Sequence, residues 1–288
     1  YIKNNYFDTF QSYPERDSLF FLLPKYWSAK GGKLKFYPPA GKNILPTAFY
    51  FHHSHYPLIG GLLKGWAPLL PLFLFKRKYR LVYSSSEPTL LTTLYNSFWA
   101  KFFGAKHIFF TWENIPYEKK FSGLNLVLKK AILRLNLFWA DGVICGNKKG
   151  EDIFRKITDK PIKIIPLSGV DTEFFKRADG PKKLNDLDLT GKVVFNFSGA
   201  IGYRKGIHII LKAFKKVSSE IPDAHLLIIG SGEYEKDIEK LISELNIKEN
   251  ITRIGWLDKN DLKTALNVSD IFLYPSISHE GWEEQFGY

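Results

Sequence analysis

The sequence predicts an α/β protein made of two Rossmann-like halves. Short apolar runs alternate with amphipathic segments at helical spacing, and the alternation occurs twice, on either side of a polar stretch bearing Gly and Pro. The 288 residues suffice for two cores of ordinary size. A content of 45% hydrophobic and 24% charged residues excludes wholesale disorder and a multispanning membrane protein.

Residues 1–60 are rich in aromatics and turn formers and are assigned loosely to the first half. Strands follow at YRLVYSS (79–85), KHIFFTW (106–112), DGVICGN (141–147) and IKIIPLS (162–168). Between the first two, Leu91, Leu94, Tyr95, Phe98 and Phe102 make a helical stripe. Lys176 to Gly191, KRADGPKKLNDLDLTG, reads as a linker, so the expected domains are 1–175 and 192–288 with 176–191 between them. The second half is the more regular: strand KVVFNFS, helix GIHIILKAFKKV, strand AHLLIIG, helix EKDIEKLISELN, strand NITRIG, helix NDLKTALNV and strand DIFLYPS. Strands apolar throughout, separated by amphipathic helices, describe a parallel sheet covered on both faces.

The chain has no Met, starts at Tyr1 and stops in a loop-like stretch, and is read as a fragment with the second half incomplete at its C-terminus. A lone Cys145 excludes an internal disulfide and sits in an apolar run as a buried strand residue. The net charge of +12, 41 Lys and Arg against 29 Asp and Glu, favours polyanions: nucleic acid, anionic lipid or phosphorylated substrates. The stretch from Leu58 to Phe75 is greasy, but Lys64, two prolines and three glycines argue against a spanning helix. This stretch, followed by KRKYR, and the leucine-rich basic segment Lys119 to Trp139 either rest on an anionic membrane or simply pack.

In an open parallel sheet, ligands gather beyond the carboxyl ends of the strands. The loop SGAIGYRKG there places Gly199 and Gly202 for close backbone approach, and Arg204 and Lys205 as cations beside the next helix. It suits a diphosphate, or is a Gly-rich turn with solvated cations. The equivalent loop after DIFLYPS reads SHEGWEEQFGY, in which Gly287 begins a helix and a carboxylate accepts sugar hydroxyls; the alternative is that its glutamates serve solubility alone. His52 to His55, HHSH, is weighed as a zinc site and set aside as a polar loop, and Asp186 and Asp188 are set aside because they lie in the linker.

Together FSGAIGYRKGIHIILKAF, IKIIPLSGVDTEFF, RIGWLDKNDLKTALNVSDIFLYPS and EEQFGY resemble the family-4 glycosyltransferases of the GT-B fold. The resemblance implies a retaining, metal-independent glycosyltransferase without cofactor, moving sugar from a UDP- or GDP-linked donor to a lipid-linked or polysaccharide acceptor. It implies a cytoplasmic protein, peripheral on the inner face of the cell membrane, with no nucleic-acid partner. By position, Lys205 clamps the donor diphosphate; Ala200 stands where the family has Arg, and Arg204 is the substitute. The resemblance implies further that Glu284 touches the donor sugar, with a partner glutamate beyond Tyr288, that Phe286 and Gly287 supply the helix start, and that the Leu257 backbone meets the base. Glu113 stands near the place of a catalytic-side His, and either hydrogen-bonds sugar or acceptor or caps its loop. Two competing readings are a catalytically inactive GT-B-like protein binding membrane or RNA, which Ala200 keeps open, and a nucleotide-sugar epimerase.

Overall fold

In a computed structural model of the chain, residues 14–28, 35–38, 40–51, 61–166 and 169–285 are described. The chain falls into two compact units, Tyr1–Pro166 and Leu167–Tyr288. In unit 1, β1 (Phe21–Pro24), β2 (Trp27–Ser28), β3 (Lys35–Phe36) and β4 (Ile44–Thr47) form two small ladders, β1 with β4 in parallel and β2 with β3 antiparallel. After α1 (Leu70–Lys76) comes the main alternation: β5 (Leu81–Ser84), α2 (Leu91–Phe102), β6 (Lys106–Thr111), α3 (Tyr117–Lys120), α4 (Gly123–Trp139), β7 (Gly142–Cys145), α5 (Lys148–Phe154) and β8 (Ile162–Ile164). The four strands run parallel in the order β5-β6-β7-β8. Phe109, Val143 and the buried Cys145 meet Leu133, Leu137 and Phe154 in the core.

The aromatic stripe of α2 forms a helix as expected, but it is not the face that meets the sheet. Thr92, Thr93, Ser97 and Ala100 are the buried residues. Ser97 Oγ donates to Asn136 Oδ1 (3.4 Å) and Asn96 Nδ2 to Ser84 Oγ (3.0 Å), a small and polar seam that brings the helix close. The aromatics face outward, Phe98 stacking on Trp139 at 5.1 Å and on Phe102 at 6.4 Å, with Phe102 68% exposed. On α4, Leu124, Val127 and Phe138 are likewise exposed. The basic residues of that helix divide: Lys130 pairs with Glu118, whereas Lys129 turns inward towards Thr89 O (3.4 Å). Among the described residues, no helix is long and apolar enough to cross a membrane.

Unit 2 adds β9 (Lys183–Leu184), β10 (Leu187–Asp188), β11 (Val193–Ser198), α6 (Ile207–Glu220), β12 (Ala224–Ile229), α7 (Glu235–Glu244), β13 (Ile251–Ile254), α8 (Lys259–Val268) and β14 (Ile271–Phe272). Its parallel sheet has the order β13-β12-β11-β14. Ile207, Ile210, Leu211 and Phe214 of α6, the stripe read from the sequence, pack on Phe197, Leu226 and Ile228. Buried Asn196 ties β11 to the end of α8 by donating to Ser269 Oγ (2.9 Å).

The expected linker needs correction. Residues 183–188 form an antiparallel hairpin turned by Asn185 in the left-handed region (φ 51°), and Leu184 and Leu189, each 1% exposed, are buried with Val194, Leu227 and Ala265. Lys182 also pairs with Asp270 (2.7 Å), whose other contact is the Val194 amide. The segment is therefore folded onto the second sheet. Leu184→Ala is expected to cost about 2–5 kcal/mol, as buried leucine truncations do. Urea unfolding of the variant checks this, since truncation in a linker leaves the midpoint unchanged.

Candidate functional site

In unit 2 the strand order reverses at β11, with β12 on one side and β14 on the other. Crossovers from these strands leave in opposite directions, which opens a crevice at the carboxyl edge between the loop after β11 and the loop after β14. The first loop is braced from behind. Gly199 N donates to Ile229 O (2.9 Å) and Ile201 N to Ser231 O (3.1 Å). A Cβ on Gly230 (φ 126°) would lie 2.0 Å from Gly199 O, so only glycine lets the loop after β12 come this close. Gly202 precedes the turn Tyr203–Lys205, and Gly206, at φ 71°, ends that turn and begins α6. A Cβ on Gly206 would lie 2.1 Å from Pro275 O, which is how the second loop comes to rest on the first.

Two cations stand where the loops meet. Lys205 Nζ donates to Glu284 Oε2 (2.6 Å) and to Tyr274 Oη (2.9 Å). The same Glu284 oxygen accepts from Tyr274 Oη (2.8 Å) and Ser276 Oγ (3.1 Å). Burial by itself raises the Glu284 pKa, but the bonds from Lys205 and Tyr274, the Lys205 charge and the Ser276 hydroxyl outweigh it and hold the carboxyl below its ordinary range. Arg204 lies over the Trp282 ring at 4.1 Å, and its carbonyl accepts from Ile277 N (2.9 Å). Tyr203 stacks on His208 (4.5 Å) and meets His279 at 4.9 Å. Ala200 is exposed and Glu280 points to solvent, while Glu284 is drawn inward.

Of the expected residues, Lys205 and Glu284 meet directly, Arg204 lies over Trp282 beside them, and Gly199 and Gly202 belong to the loop that carries the two cations. Leu257, in the loop after β13, packs its side chain beside the hairpin core. Phe286 and Gly287 lie outside the described residues, as does His52 to His55. Tyr274, Ser276 and Trp282 were not singled out from the sequence. The spacing of Tyr274 and Ser276 is the available signal, because residues two apart at a strand end share a face. Asp188 is held by Lys183 (3.3 Å) and the Thr190 amide (2.9 Å), and among the described residues no three His, Cys, Asp or Glu side chains gather to hold a metal.

At the carboxyl edge of the sheet in unit 1, Glu113 is 5% exposed and fully engaged. Its Oε1 accepts from the amides of Asn114 and Ile115 (3.3 Å each) and from Lys120 Nζ (2.9 Å), the geometry of a loop cap. Glu87, unremarked in the sequence, accepts from Thr111 Oγ1 (2.6 Å) and Trp112 N (3.1 Å). Burial pushes its pKa up, the hydrogen bonds pull it down, the Glu113 charge pushes it up again, and the net direction is upward.

Because Glu284 is held as a carboxylate, its stabilisation is complete above the ordinary glutamate value of 4.5 and is lost as pH falls through the lower value in the folded chain. Wild type is expected to exceed Glu284→Gln in melting temperature at neutral pH, with the gap closing on acidification below about pH 4.5. Melts at stepped pH decide it; a gap independent of pH rules out the ion pair as its source.

Residues 181–288 match the family described as "Glycosyl transferases group 1". The UDP-Gal:alpha-D-GlcNAc-diphosphoundecaprenol alpha-1,3-galactosyltransferase of Escherichia coli is 28% identical over 242 residues, 77% of this chain and 58% of that protein. The GDP-mannose-dependent monoacylated alpha-(1-6)-phosphatidylinositol monomannoside mannosyltransferase of Corynebacterium glutamicum is 33% identical over 120 residues, 40% and 30% of the two chains. This chain therefore spans well under two thirds of the length of these relatives. Among solved structures, Anabaena Alr3699/HepE in complex with UDP superposes with a TM-score of 0.61 at 17% identity, covering 74% of this chain and 57% of that one. Sucrose-phosphate synthase from Thermosynechococcus elongatus superposes with a TM-score of 0.56 at 15% identity, covering 92% and 64%. The chain thus has the fold of two Rossmann-like units seen in GT-B glycosyltransferases, and its second unit matches the glycosyl transferases group 1 family.

Proposed function

We propose that the chain acts in a retaining glycosyltransferase that moves a sugar from a UDP- or GDP-linked donor to a lipid-linked or saccharide acceptor at the cytoplasmic face of a membrane. The observation that carries this reading is the joining of Lys205 and Glu284 across the switch-point crevice, where α6 also begins. On this reading the donor diphosphate takes Lys205 and the amides at the start of α6, and the freed Glu284 carboxylate accepts a hydroxyl of the donor sugar. Arg204, parked on Trp282, is the second cation. In retaining transfer of this type the departing phosphate oxygen takes the acceptor proton, so the chain's main task is to stabilise charge developing on the diphosphate. Both named relatives use a nucleotide-linked sugar and act on a lipid-borne acceptor, which fits the outward aromatic face of unit 1.

Saturating UDP or GDP, at about one hundred times its dissociation constant, is expected to stabilise the chain by about 2.7 kcal/mol. Lys205→Ala is expected to cost about 1.5–3 kcal/mol of that binding, the worth of a charge-assisted hydrogen bond. Calorimetry with both nucleotides, followed by release assays with UDP- and GDP-sugars with and without lipid extract, checks the reading. Product from donor alone indicates an epimerase, and salt-sensitive RNA binding without nucleotide binding indicates the inactive alternative.

The membrane part has its own test. Replacing Phe98, Phe102 and Phe138 together by Ser is expected to weaken sedimentation with phosphatidylglycerol vesicles by at least about tenfold, since each buried aromatic contributes on the order of 1.5–3 kcal/mol. Unchanged sedimentation refutes the assignment of this face.

A further inference from the structure

Lys120 and Lys129 form an unusual pair. Both ammonium groups flank one aromatic ring, Lys120 Nζ at 6.0 Å and Lys129 Nζ at 5.6 Å from the centre of Phe121. Lys120 is neutralised by both oxygens of Glu113 (2.9 and 3.0 Å). Lys129 has no carboxylate partner among the described residues; its contact is the Thr89 carbonyl at 3.4 Å. The lysine is partly buried as well. Burial first, and then the nearby Lys120 charge, depress its pKa against the opposing pull of Glu87. A half-buried cation beside a like charge is costly unless an anion joins it.

Asn136 Nδ2 donates to Pro88 O (2.8 Å), fixing α4, the helix that bears Lys129, against the loop after β5. Glu87 and Glu113 lie at the same carboxyl edge of the sheet, their carboxylates spent on Thr111 and Trp112 and on the Asn114 and Ile115 amides and Lys120. Tyr117, which starts the helix bearing Lys120, is 4% exposed, and its hydroxyl has no partner among the described residues. Along α4 itself, Leu124, Val127 and Leu128 stand exposed. Cations at a polar edge and apolar side chains on one helix match an amphiphile with an anionic head.

We propose that Lys120 and Lys129 form a phosphate-binding subsite for the acceptor, which is accordingly a sugar carried on a phosphate or diphosphate. This rests on the glycosyl-transfer reading for the word acceptor, but the anion site is testable without it. Lys129 binds the phosphate directly, and Lys120 shares itself between the phosphate and Glu113.

The probe is inorganic pyrophosphate, titrated calorimetrically into the chain with UDP saturating the second unit. Lys129→Gln and Lys120→Gln are each expected to weaken pyrophosphate binding about tenfold or more while leaving UDP binding unchanged, and Lys129→Arg is expected to retain it. Should Lys129→Gln not fold, Lys120→Gln carries the same expectation. Wild-type pyrophosphate affinity in a folded Gln variant overturns the proposal, as does loss of all pyrophosphate binding in Lys205→Ala. Phosphatidylglycerol vesicles separate the two sources of phosphate. If the Gln variants lose vesicle binding yet keep pyrophosphate binding, the lysines serve the bilayer surface and the subsite is refuted. Pyrophosphate binding that depends on Lys129 in a chain that binds no nucleotide would instead leave the subsite standing and remove the transfer reading.

Discussion

The site in the second unit depends on one ion pair, Lys205 with Glu284, joining residues 79 positions apart. Each feature around it serves to bring those two groups to one point. The reversal of strand order parts the two loops, Gly206 lets them touch at Pro275, and Tyr274 and Ser276 add hydroxyls to the same carboxylate oxygen. Without the glycine the loops stand apart, and without the hydroxyls the carboxylate has lost water for a single contact. The pair is mostly buried, with 14% of the Lys205 and 28% of the Glu284 side chain exposed.

Much of this architecture was legible in the sequence. The strands and helices of unit 2 are where the periodicity puts them because the central strands β11 and β12 are largely buried and each helix buries one stripe, so residue type reports position directly. Lys205 and Glu284 were legible by motif. Tyr274 and Ser276 were not, since at a strand end they read as ordinary sheet pattern, and their meaning comes from a loop ten residues further on. The hairpin at 183–188 was hidden because two buried leucines sit among lysines and aspartates whose charges face out. Glu87 was hidden for a different reason: its environment is made by Thr111 and Trp112, on the next strand, which local sequence cannot announce.

Unit 1 shows where hydrophobic periodicity misleads about direction. An aromatic stripe on α2 reads as a core face, yet the sheet takes the side with Thr92, Thr93, Ser97 and Ala100. Small side chains let the helix lie close, and two of their hydroxyls find partners instead of water, Ser97 the Asn136 side chain and Thr93 the Ser86 and Glu87 carbonyls. The aromatics are then left to stack on one another and on Trp139, outside. Glu113 belongs to the same economy of space: its carboxylate closes a loop through two amides and a lysine, and so fixes the edge on which Glu87 also lies.

If the second unit binds its donor as proposed, the contact between Lys205 and Glu284 also filters anions. A simple ion such as sulfate or chloride that approaches Lys205 must displace a carboxylate already seated at 2.6 Å, and it brings nothing to satisfy the glutamate it evicts. A molecule carrying both an anionic group and a hydroxyl satisfies both partners at once. On the proposed reading the pair therefore answers to two-headed ligands rather than to simple salts, and a basic chain keeps this lysine from whatever anion is most abundant.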